Sequence, residues 1–399
     1  MSISIPPGKK SLRTGCWIRI KICYIASPSI HTNRWVRYFA DNGHEVHLIT
    51  SVRTYEGNIG NTTLHYLRRI GPRTRVINYF LNSLPLMLQF KRLLKDINPD
   101  IVHAQSIMDA TLLGAASGFH PFVVTVWGSD VLTAPQDSKI SKWMVKYVLK
   151  RADLVTCDAE HIQEPLRQMG LVPQKIKLIY FGTDTRKFRP EPRDKSLREE
   201  LKVYDSPVII SLRRLEPLYD VQSLIQAVPA VLREVPQAKF LIAESGSQET
   251  KLKELVNSLA VSDSVSFVGR LNENELPRYL ASADIYVSTS LSDAGLAAST
   301  AEAMACGLPV IITDFGDNRK WVEDGKNGFI IPLKDPQALA SKIVFLLQNR
   351  ETRQKFGQAS RKIIEERNNR EKEMAKMAEL YRELVEKKEK MGKRQGQEE

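Results

Sequence analysis

An α/β protein built from two doubly wound parallel-sheet domains that face a deep cleft is the expected fold, on three observations. A strand, a polar loop, an Ala-rich helix and a second strand follow one another within residues 288–314, STSLSDAGLAASTAEAMACGLPVIITD. Apolar runs of strand length alternate with helical stretches in both halves of the chain, the order that a parallel sheet with crossover helices requires. Finally, 399 residues are long for one core and comfortable for two, and hydrophobic residues at 42% are enough to fill both.

In the first half, 20–26 reads as a strand, 35–42 as a helix stopped by Gly43, and 45–50 as a second strand. Residues 99–104 and 122–127 are later strands with an Ala/Leu/Gly helical segment between them. Each strand runs into polar residues: Ser27, His31 and Arg34 in SIHTNRW, His103 in HAQS, and Gly128, Ser129 and Asp130 in TVWGSD. Loops at the carboxyl ends of parallel strands are where such folds bind ligands. His31, among polar and basic neighbours on an open loop, is therefore a candidate active-site residue. His103 is a second candidate, with a satisfied structural histidine as its equal alternative. The modest reading of Asp130 is a helix cap. His44 and His47 flank and enter a strand and read as structural.

The second half repeats the pattern. Residues 208–212 form a strand that runs into Arg213 and Arg214, followed by a helix over 221–231; 240–246 is a strand with a Gly turn. Residues 285–288 are the next strand, 296–306 a helix, Gly307 and Pro309 its stop, and 310–313 another strand. The turn before 296 directs free N–H groups and the positive helix end at the carboxyl edge of the sheet, which suits an anion. Arg213 and Arg214 suit the same anion, because a guanidinium can hold phosphate oxygens with two parallel donors. Glu302 lies too far inside its helix to serve a phosphate. Its carboxylate could instead accept hydrogen bonds from vicinal hydroxyls such as those of a ribose.

The run from Gly295 with EAMACGLPVI at 302–311 resembles the donor-site signature of glycosyltransferase family 4, whose members have the GT-B architecture of two Rossmann-like domains. The turn at Arg213 to Asp220 resembles the family's Arg-Leu-x-x-x-Lys-Gly, with Tyr219 and Asp220 at the Lys and Gly positions. The family's first loop Glu falls on Ala294, and Asp293 stands one residue earlier. FLIAESG with Gly246, VSFVGRL with Val268, Gly269, Arg270 and Leu271, and WVEDGKNGFIIP resemble the remaining elements in the family's order. Gly182, Asp184, Phe188 and Pro190 resemble its interdomain passage. Five weak matches in a fixed order make a specific one. In the acceptor half, the family's His after the Val-Thr strand is replaced by Trp127.

The resemblance implies a retaining transfer of a hexose-type sugar from a nucleotide-diphospho-sugar, with uridine or guanosine as its base, to a glycan or lipid-linked acceptor. Arg213 and Arg214 would neutralise the diphosphate, and Asp293 with Gly295, Leu296, Ala297, Ala298 and Ser299 would address sugar and phosphates. Glu302 would grip ribose, and Gly246 with Val268 to Leu271 would frame the base. Two alternatives stay open: a non-catalytic subunit of the same fold, motivated by Tyr219 and Ala294, and a nucleotide-sugar epimerase. The implied division is an extension at 1–18, an acceptor domain at 19–190, a linker at 191–206 and a donor domain at 207–360. Helices at 361–386 partly cross back, and a charged, frayed tail covers 387–399.

No cofactor or metal is expected. Cys16, Cys23, Cys157 and Cys306 are scattered and no Asp-x-Asp pair occurs. The formal charge of +12 points to an anionic partner. Lys139, Lys142, Lys146 and Lys150 recur at helical spacing beside Trp143 and Tyr147, and Arg73, Arg75, Lys91, Arg92 and Lys95 bracket an apolar run. This pattern fits an anionic membrane surface met through the first domain, with the solvated face of an ordinary amphipathic helix as the plain alternative. No nucleic-acid-reading module occurs. No apolar run nears the roughly 20 residues of a membrane span, and the first residues lack a secretory apolar core. A cytoplasmic or peripheral protein is the expectation.

Overall fold

The computed structural model of the protein describes residues 19–51, 59–68, 77–107, 109–293 and 295–395. The expectations for 1–18, Arg73, Arg75, Ala294 and 396–399 lie outside them.

The first sheet contains β1 (Lys21–Ile25), β2 (Glu45–Thr50), β3 (Thr63–Tyr66), β4 (Ile101–Ala104), β5 (Phe122–Val126), β6 (Leu154–Cys157) and β7 (Ile176–Leu178). Its order is β3-β2-β1-β4-β5-β6-β7. The second contains β8 (Val208–Ser211), β9 (Lys239–Ala243), β10 (Val265–Gly269), β11 (Ile285–Ser288), β12 (Val310–Thr313) and β13 (Gly328–Ile331), in the order β10-β9-β8-β11-β12-β13. All pairings are parallel. Helices cover both faces of each sheet, so β4, β5, β6, β8, β11 and β12 are buried at every residue. That is why they read as mainly apolar runs rather than alternating ones. In both sheets the order reverses once, between β1 and β4 and between β8 and β11, and a crevice opens at such a reversal.

The chain ends by returning to its beginning. The helix Arg350–Arg367 packs on the second sheet, whereas Met374, Met377 and Tyr381 of the helix Arg370–Gln395 join Tyr24, Trp35 and Phe39 in the first domain's core. The crossing is pinned where the Thr183 N–H donates to the Asn368 carbonyl at 2.7 Å and the Arg370 N–H donates to the Thr183 carbonyl at 3.0 Å. Gly182 serves this contact: its φ is 77°, and a Cβ there would lie 2.6 Å from the Arg370 Cα. The crossing thus falls at 368–370, and the boundary expected at 360/361 lies inside a helix. The charged tail does not fray at 387; the last helix runs on to Gln395.

Two further expectations change. The helix expected over 35–42 is Ile30–Asp41, capped by the Ser29 side chain, which accepts from the Thr32 N–H. His31 is therefore in a first helical turn rather than on an open loop. The expected linker carries the helix Lys195–Glu200, and the buried Arg198 donates to the carbonyls of Tyr204, Ser206 and Ser282, stitching the segment to the second domain. Among the described residues no helix is long and apolar enough to cross a membrane.

Candidate active site

The carboxyl ends of β8 and β11 meet at the second sheet's reversal. β8 delivers Arg213, which is buried, and the loop after β11 delivers Ser290 and Asp293. Arg213 Nη2 donates to Asp293 Oδ1 at 2.5 Å, with longer contacts to Ser290 Oγ at 3.5 Å and, through Nη1, to Ser299 Oγ at 3.4 Å. Its guanidinium carbon sits 4.5 Å from the centre of the Tyr219 ring. Burial pulls the Arg213 pKa down, but Asp293 and the two tyrosines Tyr286 and Tyr219 outweigh it and leave it above its ordinary value. Burial pushes Asp293 up more than Arg213 pulls it down. Arg213 Nε is buried and has no partner. A buried charged donor left open is unusual, and it is available to an anion.

Arg214 does not join it. The strand ends at Ser211 and the chain turns at once, the Glu216 N–H donating to the Arg214 carbonyl at 2.8 Å, so Arg214 faces solvent and lies 3.8 Å from Glu216. Arg319, also outside the site, is exposed and bonded to Asp314. Tyr219 takes the Lys position as an aromatic platform beneath Arg213. Asp220 occupies the Gly position with φ 43°, a left-handed conformation that Asp tolerates better than most residues.

Between β11 and β12 the helix is Ala298–Ala305, shorter than expected, with Ala297 at its N-cap and no side chain capping it. Ser299 Oγ bonds the Tyr286 hydroxyl at 2.8 Å. Leu296 is buried in the core beneath, while Gly295 is pressed against the first domain at Asp158. Gly246 stands at the carboxyl end of β9, where a Cβ would lie 2.3 Å from the Leu215 carbonyl; its lack of a side chain lets that loop close on the Arg213 turn. Val268 and Leu271 pack at the margin of the core, Gly269 accepts from the Glu244 N–H at 2.8 Å, and Arg270 is exposed. These four stand at the end of β10, the edge strand of the sheet.

Glu302 is buried, and its Oε1 lies 2.6 Å from Arg34 Nη1 of the first domain. Arg34 also reaches Glu273 Oε1 at 3.3 Å. The carboxylate expected on ribose is thus held by a cation across the cleft. Burial pushes Glu302 up, and Arg34 offsets this only in part. A second seam contact joins Asp317 Oδ2 to the Glu160 N–H at 2.7 Å and Asp317 Oδ1 to His161 Nδ1 at 3.0 Å.

On the first domain, His31 stacks on Trp127 with ring centres 5.2 Å apart and meets Phe181 edge-on at 5.0 Å. Burial and the nearby Arg34 bring its pKa down to about 4, so it is neutral at pH 7, and its Nδ1 is buried without a partner. Asp130 accepts from the N–H groups of Trp127 at 3.0 Å and Ile107 at 3.3 Å, tying two cleft loops together rather than capping a helix. His103 is removed from the candidates. It lies within β4, wholly buried, with Nδ1 on the Tyr381 hydroxyl at 2.5 Å and Nε2 on Thr125 Oγ1 at 2.7 Å. The returning last helix seals it, and no ring nitrogen is left for chemistry.

Two doubly wound domains with a buried arginine at the reversal of one sheet, a Gly turn beside it and polar residues facing it from the other domain define a GT-B architecture, the one the resemblance to glycosyltransferases implies. The comparisons agree. The family of glycosyl transferases group 1 matches residues 192–363 and the glycosyl transferase 4-like family matches 21–159. The chain belongs to the family 4 type of GT-B glycosyltransferases. It is 23% identical to N-acetyl-alpha-D-glucosaminyl L-malate synthase of Bacillus anthracis, over 92% of this chain and 98% of that one. It is 28% identical to a GDP-mannose-dependent phosphatidylinositol monomannoside mannosyltransferase of Mycobacterium tuberculosis, over 50% of this chain and 54% of that one. In fold it resembles HepE of Anabaena, solved with UDP and glucose, with a TM-score of 0.77 at 20% identity over 92% of this chain and 100% of that one.

Proposed function

We propose that this glycosyltransferase moves a hexose-type sugar from a uridine or guanosine diphosphate sugar to a glycan or lipid-linked acceptor, with retention of anomeric configuration. The observation that carries the reading is Arg213: a buried cation with one unpartnered N–H, placed at the sheet reversal beside the Gly295 to Ser299 turn. In the transfer the bond from the anomeric carbon to the diphosphate oxygen breaks, a bond to an acceptor hydroxyl oxygen forms, and the hydroxyl's proton passes to the departing diphosphate. Charge develops on the departing diphosphate, and a fixed cation at that point favours the transition state over the ground state. Arg213 meets that charge as a fixed cation, and the chelator arm of the donor assay tests whether it does so unaided. Glu302 reaches ribose once Arg34 releases it. His31 and Trp127 form the acceptor-side wall, and His31, being neutral, can accept or donate a hydrogen bond there.

The acceptor reading draws on the first domain's surface. In the helix Lys139–Arg151, Val145, Val148 and Leu149 face the core, while Ile140 and Trp143 are exposed beside Lys139, Lys142 and Lys146. Leu84 and Leu88 are likewise exposed near Lys91 and Arg92. Apolar side chains set among cations suit an anionic lipid surface that carries the acceptor. The relatives fit this class of substrate: the mycobacterial mannosyltransferase is named for a phosphatidylinositol mannoside, and HepE was solved with UDP and glucose. The test is to incubate the protein with each donor and a membrane extract, then determine product mass and anomeric configuration. A product one hexose heavier, with the donor's configuration, supports the reading; no sugar transfer with any donor defeats it.

A further inference from the structure

Asp158 follows β6 at the carboxyl edge of the first sheet and belongs to neither of the ion pairs described above. It stands instead against the donor-side turn of the other domain. A Cβ built on Gly295 would lie 3.0 Å from the Asp158 carbonyl oxygen, 3.4 Å from the Ala159 Cβ and 3.5 Å from Asp158 Oδ2. The turn that flanks Arg213 and Asp293 therefore closes directly onto this residue. Asp158 Oδ1 is shut off from solvent and has no hydrogen-bond partner. Burial, with Asp130 and Asp317 nearby, pushes the carboxyl up to about 7, against the pull of its own backbone N–H and of His161. A buried carboxylate oxygen without a donor is costly in an empty protein, and such an oxygen at a closing seam marks a place where a ligand completes the bonding.

Charge limits what that ligand group can be. Two further carboxylates, Asp130 and Asp317, stand near Asp158 against one imidazole, His161, which Asp317 already holds at 3.0 Å, so the diphosphate is disfavoured there and belongs on the Arg213 side. Neutral hydroxyls remain, and a carboxylate can accept from more than one. The loop itself offers no free carboxylate for them. Asp293 is held by Arg213 at 2.5 Å, and the position where the resembling pattern carries Glu is Ala294.

We propose that Asp158 holds hydroxyl groups of the transferred sugar, contributed by the first domain to a donor seated on the second, and thereby sets which sugar is accepted. The contact can form only when Gly295 closes on Asp158, so the correct sugar would itself favour the closed, water-excluding cleft. This inference rests on the donor reading above.

Calorimetric titration separates the two. Wild type, Asp158→Asn and Asp158→Ala are titrated with uridine and guanosine diphosphate, then with their glucose, galactose, N-acetylglucosamine and mannose conjugates, and urea midpoints are recorded. Unchanged affinity for the free diphosphate is expected in both variants, with unlowered midpoints. The affinity gained from the preferred sugar should fall about tenfold to a hundredfold in Asp158→Ala, the effect of losing a hydrogen bond to a charged group. Variants that keep the wild-type sugar preference, or that lose diphosphate and conjugate equally, overturn the role of Asp158 while leaving the donor site in place. A wild-type protein that binds no nucleoside diphosphate overturns the donor reading and this inference with it.

Discussion

Removing Arg34 should open the cleft. Arg34 and Glu302 are 2.6 Å apart with side chains 15% and 4% exposed, and they belong to different domains. At an effective dielectric of about 20, a pair at that 2.6 Å separation attracts by about 6 kcal/mol before desolvation. Desolvation costs several kcal/mol per ion, so the net value of the intact pair is small. Removing one partner is different, since it leaves a buried lone charge at a cost of about 3–5 kcal/mol. In a two-domain protein that cost has an outlet: the domains part and Glu302 becomes hydrated. Arg34→Ala should therefore increase the radius of gyration of the unliganded protein in small-angle scattering. Arg34→Ala with Glu302→Ala should bring it back toward the wild-type value, because no buried charge remains. In the corresponding double-mutant cycle on urea midpoints, the coupling should reach about 1 kcal/mol or more. Unchanged dimensions in Arg34→Ala, together with additivity within about 0.5 kcal/mol, would refute the clamp.

Other expectations follow from the same geometry. Arg213→Ala should lower kcat by about a hundredfold or more, as loss of a transition-state charge partner does, whereas exposed Arg214→Ala should change it by less than about threefold; steady-state kinetics distinguishes them. His103→Phe should destabilise the first domain by about 1–3 kcal/mol, because it removes one buried hydrogen bond each from Thr125 and Tyr381 and leaves them only Thr156 and Tyr24, while diphosphate affinity stays unchanged in calorimetry. Acid should destabilise the fold through His31 and His103, held at about 4 and about 3. The unfolded chain binds those protons first, so the stability is complete above about pH 6.5 and is lost as pH falls from there toward 4 and 3. His31→Phe should flatten that limb of a urea-midpoint profile, and an unchanged limb would contradict the assigned burial. Ile140→Ser with Trp143→Ser should reduce sedimentation with anionic vesicles at least fivefold and leave turnover of a soluble acceptor unaltered, on the apolar area removed from the lipid contact.

The sheets were legible because strands buried on both faces are mostly apolar, and β8, β11 and β12 are runs of that kind that end in polar or charged turns. Arg213 was legible for the same reason: a charge that ends such a strand lies at the ligand edge. The same signal was present at Asp158, which ends the run LVTC, and was passed over because its partner turn is in the other domain. Ser29 was a readable cap, since Trp35, Val36, Phe39 and Ala40 continue its helix at the right spacing. His103 was not legible. One of its two partners is Tyr381, 278 residues away, and no local pattern announces that the last helix returns. Arg214 was not legible either, because the turn after Ser211 sends it to solvent while its neighbour Arg213 is buried, and two adjacent arginines look alike in sequence.

The central claim is that Arg213 and Glu302 form a nucleotide-diphospho-sugar site that works without a metal. It is tested most directly by measuring nucleoside diphosphate release from uridine and guanosine diphosphate sugars in the presence of chelator and membrane extract, for wild type, Arg213→Ala and Glu302→Ala. Release that depends on the extract, survives chelator and is lost in both variants is the predicted result; release that persists in Arg213→Ala, or stops when chelator is added, would contradict it.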